Sequence, residues 1–348
     1  MEKTRQIQNS KEEQLMSDTR ILASDSVPTD GSRDVTADLQ ALIDENPNRT
    51  ILIPDGLYRI SRPLCTPADP RKAVSLAFSD FAVIRASEDW NSDEAMIRLG
   101  GKDPYNSITI NGSNYSLSGG IIDGAGRAKA VSIDSGRETA IRNVSIKHAR
   151  VGIHIKHGAN SGSSDADVTG VNIVGTGGTD SVGVLVEGFD NTFTNMRIAN
   201  VYIGVELRSA GNSLRNLHPL YTSDNTDYEG SCGFFDRCGN NWMNFCYSDQ
   251  FASGFRLADN IRDVMTDCFA FWYSDKGGPQ TLIRCDGRFG SMVTNIKVGF
   301  KTKENVNTIL RAEEGGRGVL ANLCLNHGDE SWFDGDTTYR AYLKGDIL

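Results

Sequence analysis

An asparagine or aspartate followed by alternating apolar residues keeps returning along the chain. It occurs as Asn143-Val-Ser-Ile, Asn172-Ile-Val-Gly, Asn195-Met-Arg-Ile, Asn216-Leu-His-Pro, Asn244-Phe-Cys-Tyr, Asp267-Cys-Phe-Ala, Asn295-Ile-Lys-Val and Asn322-Leu-Cys-Leu. Subtracting positions gives steps of 29, 23, 21, 28, 23, 28 and 27 residues. A repeat of that length, built on short apolar alternation and uneven only in its spacers, predicts a solenoid whose turns differ in their loops. Such a fold brings residues distant in sequence into straight columns.

A second pattern runs in phase. Ahead of most asparagines lies a glycine inside an alternating segment: Val151-Gly152-Ile-His-Ile, Val182-Gly183-Val-Leu-Val, Ile203-Gly204-Val-Glu-Leu, Cys232-Gly233-Phe-Phe-Asp and Ser253-Gly254-Phe-Arg-Leu. Thr281-Leu-Ile-Arg-Cys continues it without the glycine. Alternation with period 2 over five residues predicts a strand with one face in a core. Each repeat therefore holds at least two short strands, and stacking buries their apolar faces as parallel rungs about 4.8 Å apart. The asparagines are expected at a bend, their amides laddering between rungs. The glycines are expected at a second bend that admits no Cβ.

Composition narrows the function. The chain has 348 residues and a net charge of −9, with no basic stripe, which argues against a nucleic-acid partner. No apolar run reaches membrane-spanning length, and Met1–Ser10 lack the apolar core of a secretory signal. A cytoplasmic or phage-associated protein is expected. The seven cysteines form no Cys-x-x-Cys pair and read as reduced core thiols, so neither a metal nor another cofactor is implied.

Near the start, Asp30-Gly-Ser-Arg-Asp34-Val-Thr36-Ala-Asp-Leu39-Gln40-Ala-Leu42-Ile43 carries a helical apolar period, and Thr50-Ile-Leu-Ile-Pro54-Asp-Gly56-Leu-Tyr58-Arg-Ile60 supplies two strands around a turn. This segment resembles the amino-terminal signature of the pectate-lyase-like superfamily, which includes polygalacturonases, many phage tailspikes and inulin fructotransferases. The resemblance implies an all-β fold: a single-stranded right-handed parallel β-helix with an N-terminal capping α-helix. The expected organisation is a flexible segment 1–20, the cap helix and first strands 21–64, rungs 65–325 and a C-terminal cap 326–348. Ser118-Gly-Gly-Ile-Ile-Asp123-Gly-Ala-Gly126 is similar to a scaffold turn of polygalacturonases, so Asp123 is not a catalytic candidate. Asn225-Thr226-Asp227 occurs without the paired aspartates and Gly-His-Gly that accompany it in that family, which speaks against ordinary polygalacturonase chemistry.

Registering the rungs on the glycine column lines up outward residues. Two past each glycine stand His154, Leu185, Glu206, Phe235 and Arg256; four past stand Lys156, Glu187, Arg208, Arg237 and Ala258. Glu187 and Glu206 would lie on neighbouring rungs, with Cα atoms about 8 Å apart, within the reach of paired glycosidase carboxylates. The catalytic candidates are thus Glu206, Glu187 and His154. The competing reading is a salt-bridge ladder, because Lys156, Glu187 and Arg208 alternate in sign. Candidate substrate contacts are Lys156, Arg208, Phe235, Arg237 and Arg256, joined by Tyr221, Asp227 and Tyr228 of the 218–230 insertion and by Trp242. The expected function is a carbohydrate-active enzyme that cleaves or rearranges glycosidic bonds of a polysaccharide. The alternatives are a lyase on a uronate polymer, for which Ca²⁺ is conceivable, and a non-catalytic glycan-binding tail or fibre module. The resemblance also implies a homo-oligomer, most naturally a trimer.

Overall fold

The computed structural model describes residues 20–23, 26–104, 115–223, 227–274, 280–300, 308–314, 316–326 and 341–342. Most of segment 1–20 and most of the expected C-terminal cap 326–348 lie outside them. The chain winds as a parallel β-helix. Each turn gives one strand to a narrow sheet of 11 strands and the rest to a wide sheet of 22. The narrow sheet holds the glycine-bearing strands in chain order, with Ile153, Val184, Val205, Phe234, Phe255 and Ile283 in one inward line. All six are buried, and Phe234 stacks on Phe255 at 5.1 Å. From the wide sheet, Phe193, Leu214, Met243, Met265 and Val293 close the same core. One short excursion, Ser161–Ser164, pairs antiparallel with His157–Gly158.

The asparagine column exists, with two substitutions. Registers along the wide sheet place Asn143, Gly170, Asn195, Asn216, Phe245, Asp267, Asn295 and Asn322 at the same corner, each one residue after a paired position. All have positive φ, between 54° and 67°. Asparagine tolerates this left-handed conformation and glycine adopts it without strain, which explains the column. Asn172 and Asn244 therefore stand off the bend: Asn172 pairs with Ser145 inside a strand, and Asn244 precedes the corner that Phe245 occupies. The amide ladder forms on either side of Phe245, through Asn216–Asn195 at 2.8 Å, Asn295–Asp267 at 3.2 Å and Asn322–Asn295 at 2.9 Å.

A second ladder is fully buried. The Asn191, Asn212 and Asn241 Oδ1 atoms each accept the backbone N–H of the preceding rung's ladder residue (Ala166, Asn191 and Asn212, respectively) at 2.8–3.1 Å. Asp263 and Ser291 continue the line, accepting from Asn241 N and Asp263 N. Each such bond contributes about 1 kcal/mol and pairs a backbone N–H that would otherwise be buried alone.

The glycines sit where the chain enters the narrow sheet, and space is what excludes a side chain there. A Cβ on Gly204 would lie 2.3 Å from the Gly233 carbonyl oxygen and 2.4 Å from Pro219 on the facing sheet. The helix Thr36–Glu45 buries Leu39 and Ile43. Its Gln40 amide bonds both the N–H and the C=O of Cys65, at 2.8 and 3.0 Å, on the first strand of the narrow sheet. All seven cysteines are free.

Candidate functional site

The outward face of the narrow sheet carries the sequence-derived candidates, and the structure pairs almost all of them. His154 Nε2 lies 2.8 Å from Glu187 Oε2, and Arg208 donates to Glu187 at 3.2 Å and to Glu206 at 3.0 Å. Arg237 donates to the same Glu206 oxygen at 2.6 Å. Glu206 is not an open groove residue: its side chain is 3% exposed beneath the two guanidinium groups. The His154 hydrogen bond, helped by Arg208 against the cost of burial, holds the Glu187 carboxyl below its ordinary range. Phe235 is buried, sandwiched between Arg237 at 3.9 Å and Arg256 at 4.4 Å, so its faces are closed to a sugar. Arg256 bonds Asp286, and Lys156 bridges Glu94 and Asp134. From His154 to Arg237 this face is a network of paired charges, whereas Arg256, Arg284 and Arg311 follow in register as like charges.

The 218–230 insertion also packs differently from expectation. Tyr221 and Tyr228 are buried, meeting each other at 5.4 Å, with Tyr221 5.5 Å from Phe251. They anchor the loop and offer no stacking surface. Asp227 is exposed beside the Tyr202 hydroxyl, whose ionisation is pushed up to about 12 by burial and then by the Asp227 charge. Trp242 is half exposed on the wide sheet, in a line with Val264, Met292 and Val319.

A cluster that sequence reasoning missed lies on the wide sheet, on the strand after each corner. His218, Tyr247, Phe269 and Lys297 occupy one outward column, and Leu220, Asp249 and Phe271 the next. The inward residues between them, Ser248, Ala270 and Val298, are buried, so the rings stand on the outer surface. His218 stacks on Tyr247 at 4.0 Å, Tyr247 meets Phe269 at 4.6 Å, and Phe269, Phe271 and Tyr273 follow at 6.2 Å intervals. Lys297 Nζ lies 5.3 Å over Phe269.

Asp249 sits among these rings. Its Oδ2 accepts the Tyr247 hydroxyl at 3.3 Å and lies 3.5 Å from His218 Nε2. Asp249 Oδ1 and His218 Nε2 are both buried without a hydrogen-bond partner among the described residues. Burial and then the Asp249 charge raise the Tyr247 hydroxyl well above its ordinary value, so it stays a donor. Gln250, at φ 65°, turns its amide to bond Tyr273 N and Ser274, fixing Tyr273 at the edge of the cluster. The signal was present in the sequence: Tyr247-Ser-Asp249 and Phe269-Ala-Phe271 alternate large outward with small inward residues. Reading outward positions only from the glycine strand hid it. Among the described residues no group of three or more His, Cys, Asp or Glu side chains is arranged to hold a metal ion, and no helix is long and apolar enough to cross a membrane.

No family model and no curated protein matches the chain in sequence. Solved structures match it in fold. The N-terminal fragment of bacteriophage Phi29 gene product 12 superposes with a TM-score of 0.67 at 13% identity, covering 87% of this chain and 57% of that one. A doubly substituted tailspike protein of E. coli bacteriophage HK620 gives 0.64 at 12% identity, covering 90% and 64%; another form of that tailspike is described in complex with a pentasaccharide. An alginate lyase from a Paenibacillus species gives 0.54 at 12% identity, covering 84% and 96%. The chain thus spans roughly 60% of the length of the phage proteins it matches. The likeness establishes the parallel β-helix, shared with these tailspikes and this lyase, as its fold.

Proposed function

We propose that the protein is a carbohydrate-directed β-helix that lays a polysaccharide or oligosaccharide along the aromatic face around Asp249. The observation that carries this reading is the run of rings at His218, Tyr247, Phe269, Phe271 and Tyr273 beside a carboxylate with an uncommitted oxygen. Sugars offer apolar C–H faces that stack on rings, and this surface supplies the rings, with Asp249 beneath them. The rungs repeat at about 4.8 Å, close to the size of a sugar ring, which suits an extended chain. The tailspike described with a pentasaccharide and the alginate lyase share the fold and add support at that level.

The expectation that Glu206 and Glu187 cleave glycosidic bonds draws less support. A general acid needs a proton at working pH, whereas Glu187 is held ionised by His154 and Arg208, and Glu206 is occupied by Arg208 and Arg237. We also propose that copies associate through the apolar line of exposed Trp242, Met292 and Val319 and half-buried Val264, which runs along the coil axis on successive rungs.

Incubation with pectic, alginate, fructan and bacterial capsular polysaccharides tests the reading. New reducing ends identify a hydrolase, unsaturated products a lyase, and cyclic disaccharides a fructotransferase. Retention without product identifies a binding module. A protein that neither retains nor alters any of these glycans contradicts the proposal.

A further inference from the structure

Near the amino-terminal end of the wide sheet, a cleft of about 290 Å³ opens between Gly31, Arg59, Arg85, Ser87, Glu88 and Arg127. Three guanidinium groups line it. Arg59 and Arg85 are directly opposed on neighbouring rungs, as Cα partners in register. Like charges opposed at about 4.8 Å repel, and a sheet carries such a pair at a cost unless an anion joins it.

Of the acids in the same column only Asp123 reaches the pair, and it reaches Arg85 alone. The column reads Asp34, Arg59, Arg85, Asp123, Lys147. Asp34 accepts from the Thr36 N–H and hydroxyl through one oxygen and from the Ser61 hydroxyl through the other. Asp123 accepts from Ala125 N at 2.9 Å, lies 3.0 Å from His148 Nδ1, and stands 3.5 Å from Arg85 Nε. Among the described residues, the Arg59 guanidinium forms no hydrogen bond or ion pair, although its charge reaches Asp30. Arg127 uses Nη1 to donate to the carbonyls of Ser87 and Glu88, at 3.3 and 2.8 Å, which fixes its plane at the cleft wall and leaves Nη2 uncommitted.

We propose that this cleft is an oxyanion site that takes one phosphate, sulfate or carboxylate group, either free or borne on a sugar. Arginine presents its donors as a planar fork that matches such groups, and two or three forks around one cleft neutralise a tetrahedral or planar oxyanion from separate sides. The cleft volume admits a substituted sugar ring as readily as a free ion. The site lies on rungs before the aromatic face and does not depend on the function proposed for that face.

Calorimetric titration and thermal shift with sodium phosphate, sodium sulfate and sodium glucuronate decide the matter, with glucose as neutral control and ionic strength fixed by chloride. Saturable binding of at least one oxyanion is expected, weakened at least tenfold in Arg59→Gln and in Arg127→Gln. Arg71→Gln, on a side chain 86% exposed away from the cleft, should bind as the parent does. Glucuronate binding more tightly than phosphate or sulfate assigns a sugar-borne acid, and the reverse order assigns a free anion. Arg59→Gln should melt no lower than the parent, since it relieves repulsion; were it to fold poorly, Arg127→Gln carries the test. No saturable binding of any probe, or equal affinity in Arg59→Gln and Arg127→Gln, overturns the proposal.

Discussion

Asp263 is the residue at which the buried ladder departs from its own rule. Asn191, Asn212 and Asn241 precede it, and it accepts the Asn241 N–H in the same way, yet it carries an acid. Burial first, and then the neighbouring Asp236, push its carboxyl up to about 8. Because the folded protein holds this proton more tightly than an unfolded carboxyl with a pKa of 3.8, the stabilisation is complete at acid pH. It is lost as pH rises through about 8. Asp263→Asn should therefore raise the melting temperature at pH 9 by about 2 °C or more and change it little at about pH 3, below the unfolded value. A melting series across pH checks this, and equal gains at both pH values would contradict it. The outward ladder was legible in part: Arg208 meets Glu187 as their opposite signs at a fixed offset from glycine suggested. Lys156 pairs instead with Glu94 and Asp134, which reach it from other rungs, and His154 takes the place expected of Lys156 on Glu187. The interior ladder was hidden too, since Asn191, Asn212 and Asn241 lie in turns with no apolar alternation of their own.

At the scale of elements, the bend between the two strand segments of the wide sheet was visible as a recurring asparagine, and its φ gives the reason. Two rungs escaped because their corners hold Gly170 and Phe245, while asparagines one or two residues away mimicked the motif. A phenylalanine in the left-handed region costs roughly 1–2 kcal/mol, and asparagine tolerates it better. Phe245→Asn should thus stabilise the protein by about 1 kcal/mol and join the ladders that now stop on either side. Denaturant unfolding measures it, and a loss of stability would show that the exposed Phe245 ring makes a contact of its own. The glycine column stands second in each strand and not at a bend, at ordinary φ, but the expected lack of room for a side chain holds; the limits are the next strand's backbone and the facing sheet, as at Gly204 against Gly233 and Pro219. The aromatic cluster was missed because its strand follows the corner, and outward positions were counted only on the glycine-bearing strand.

For the whole molecule, winding converts sequence period into surface pattern, and the two sheets present different faces. From His154 to Arg237 the narrow sheet shows paired charges, and from His218 and Trp242 onward the wide sheet shows rings and apolar side chains. Trp242 and Met292, 50% and 47% exposed, belong to the line through which copies are proposed to associate. Light scattering on the purified protein should report an oligomer, and Trp242→Glu should shift it toward monomer; a parent that is monomeric at all concentrations would contradict that association. The repeat thus revealed the architecture, whereas the face that binds depends on which strand's outward residues lack partners. The most direct measurement is the affinity of whichever glycan the protein retains, compared between Tyr273→Ala, Phe271→Ala and Glu206→Gln. Losses of tenfold or more in the two aromatic variants, with Glu206→Gln binding as the parent does, are predicted. Undiminished binding in the aromatic variants, with loss in Glu206→Gln, would contradict the account and return the site to the charged face.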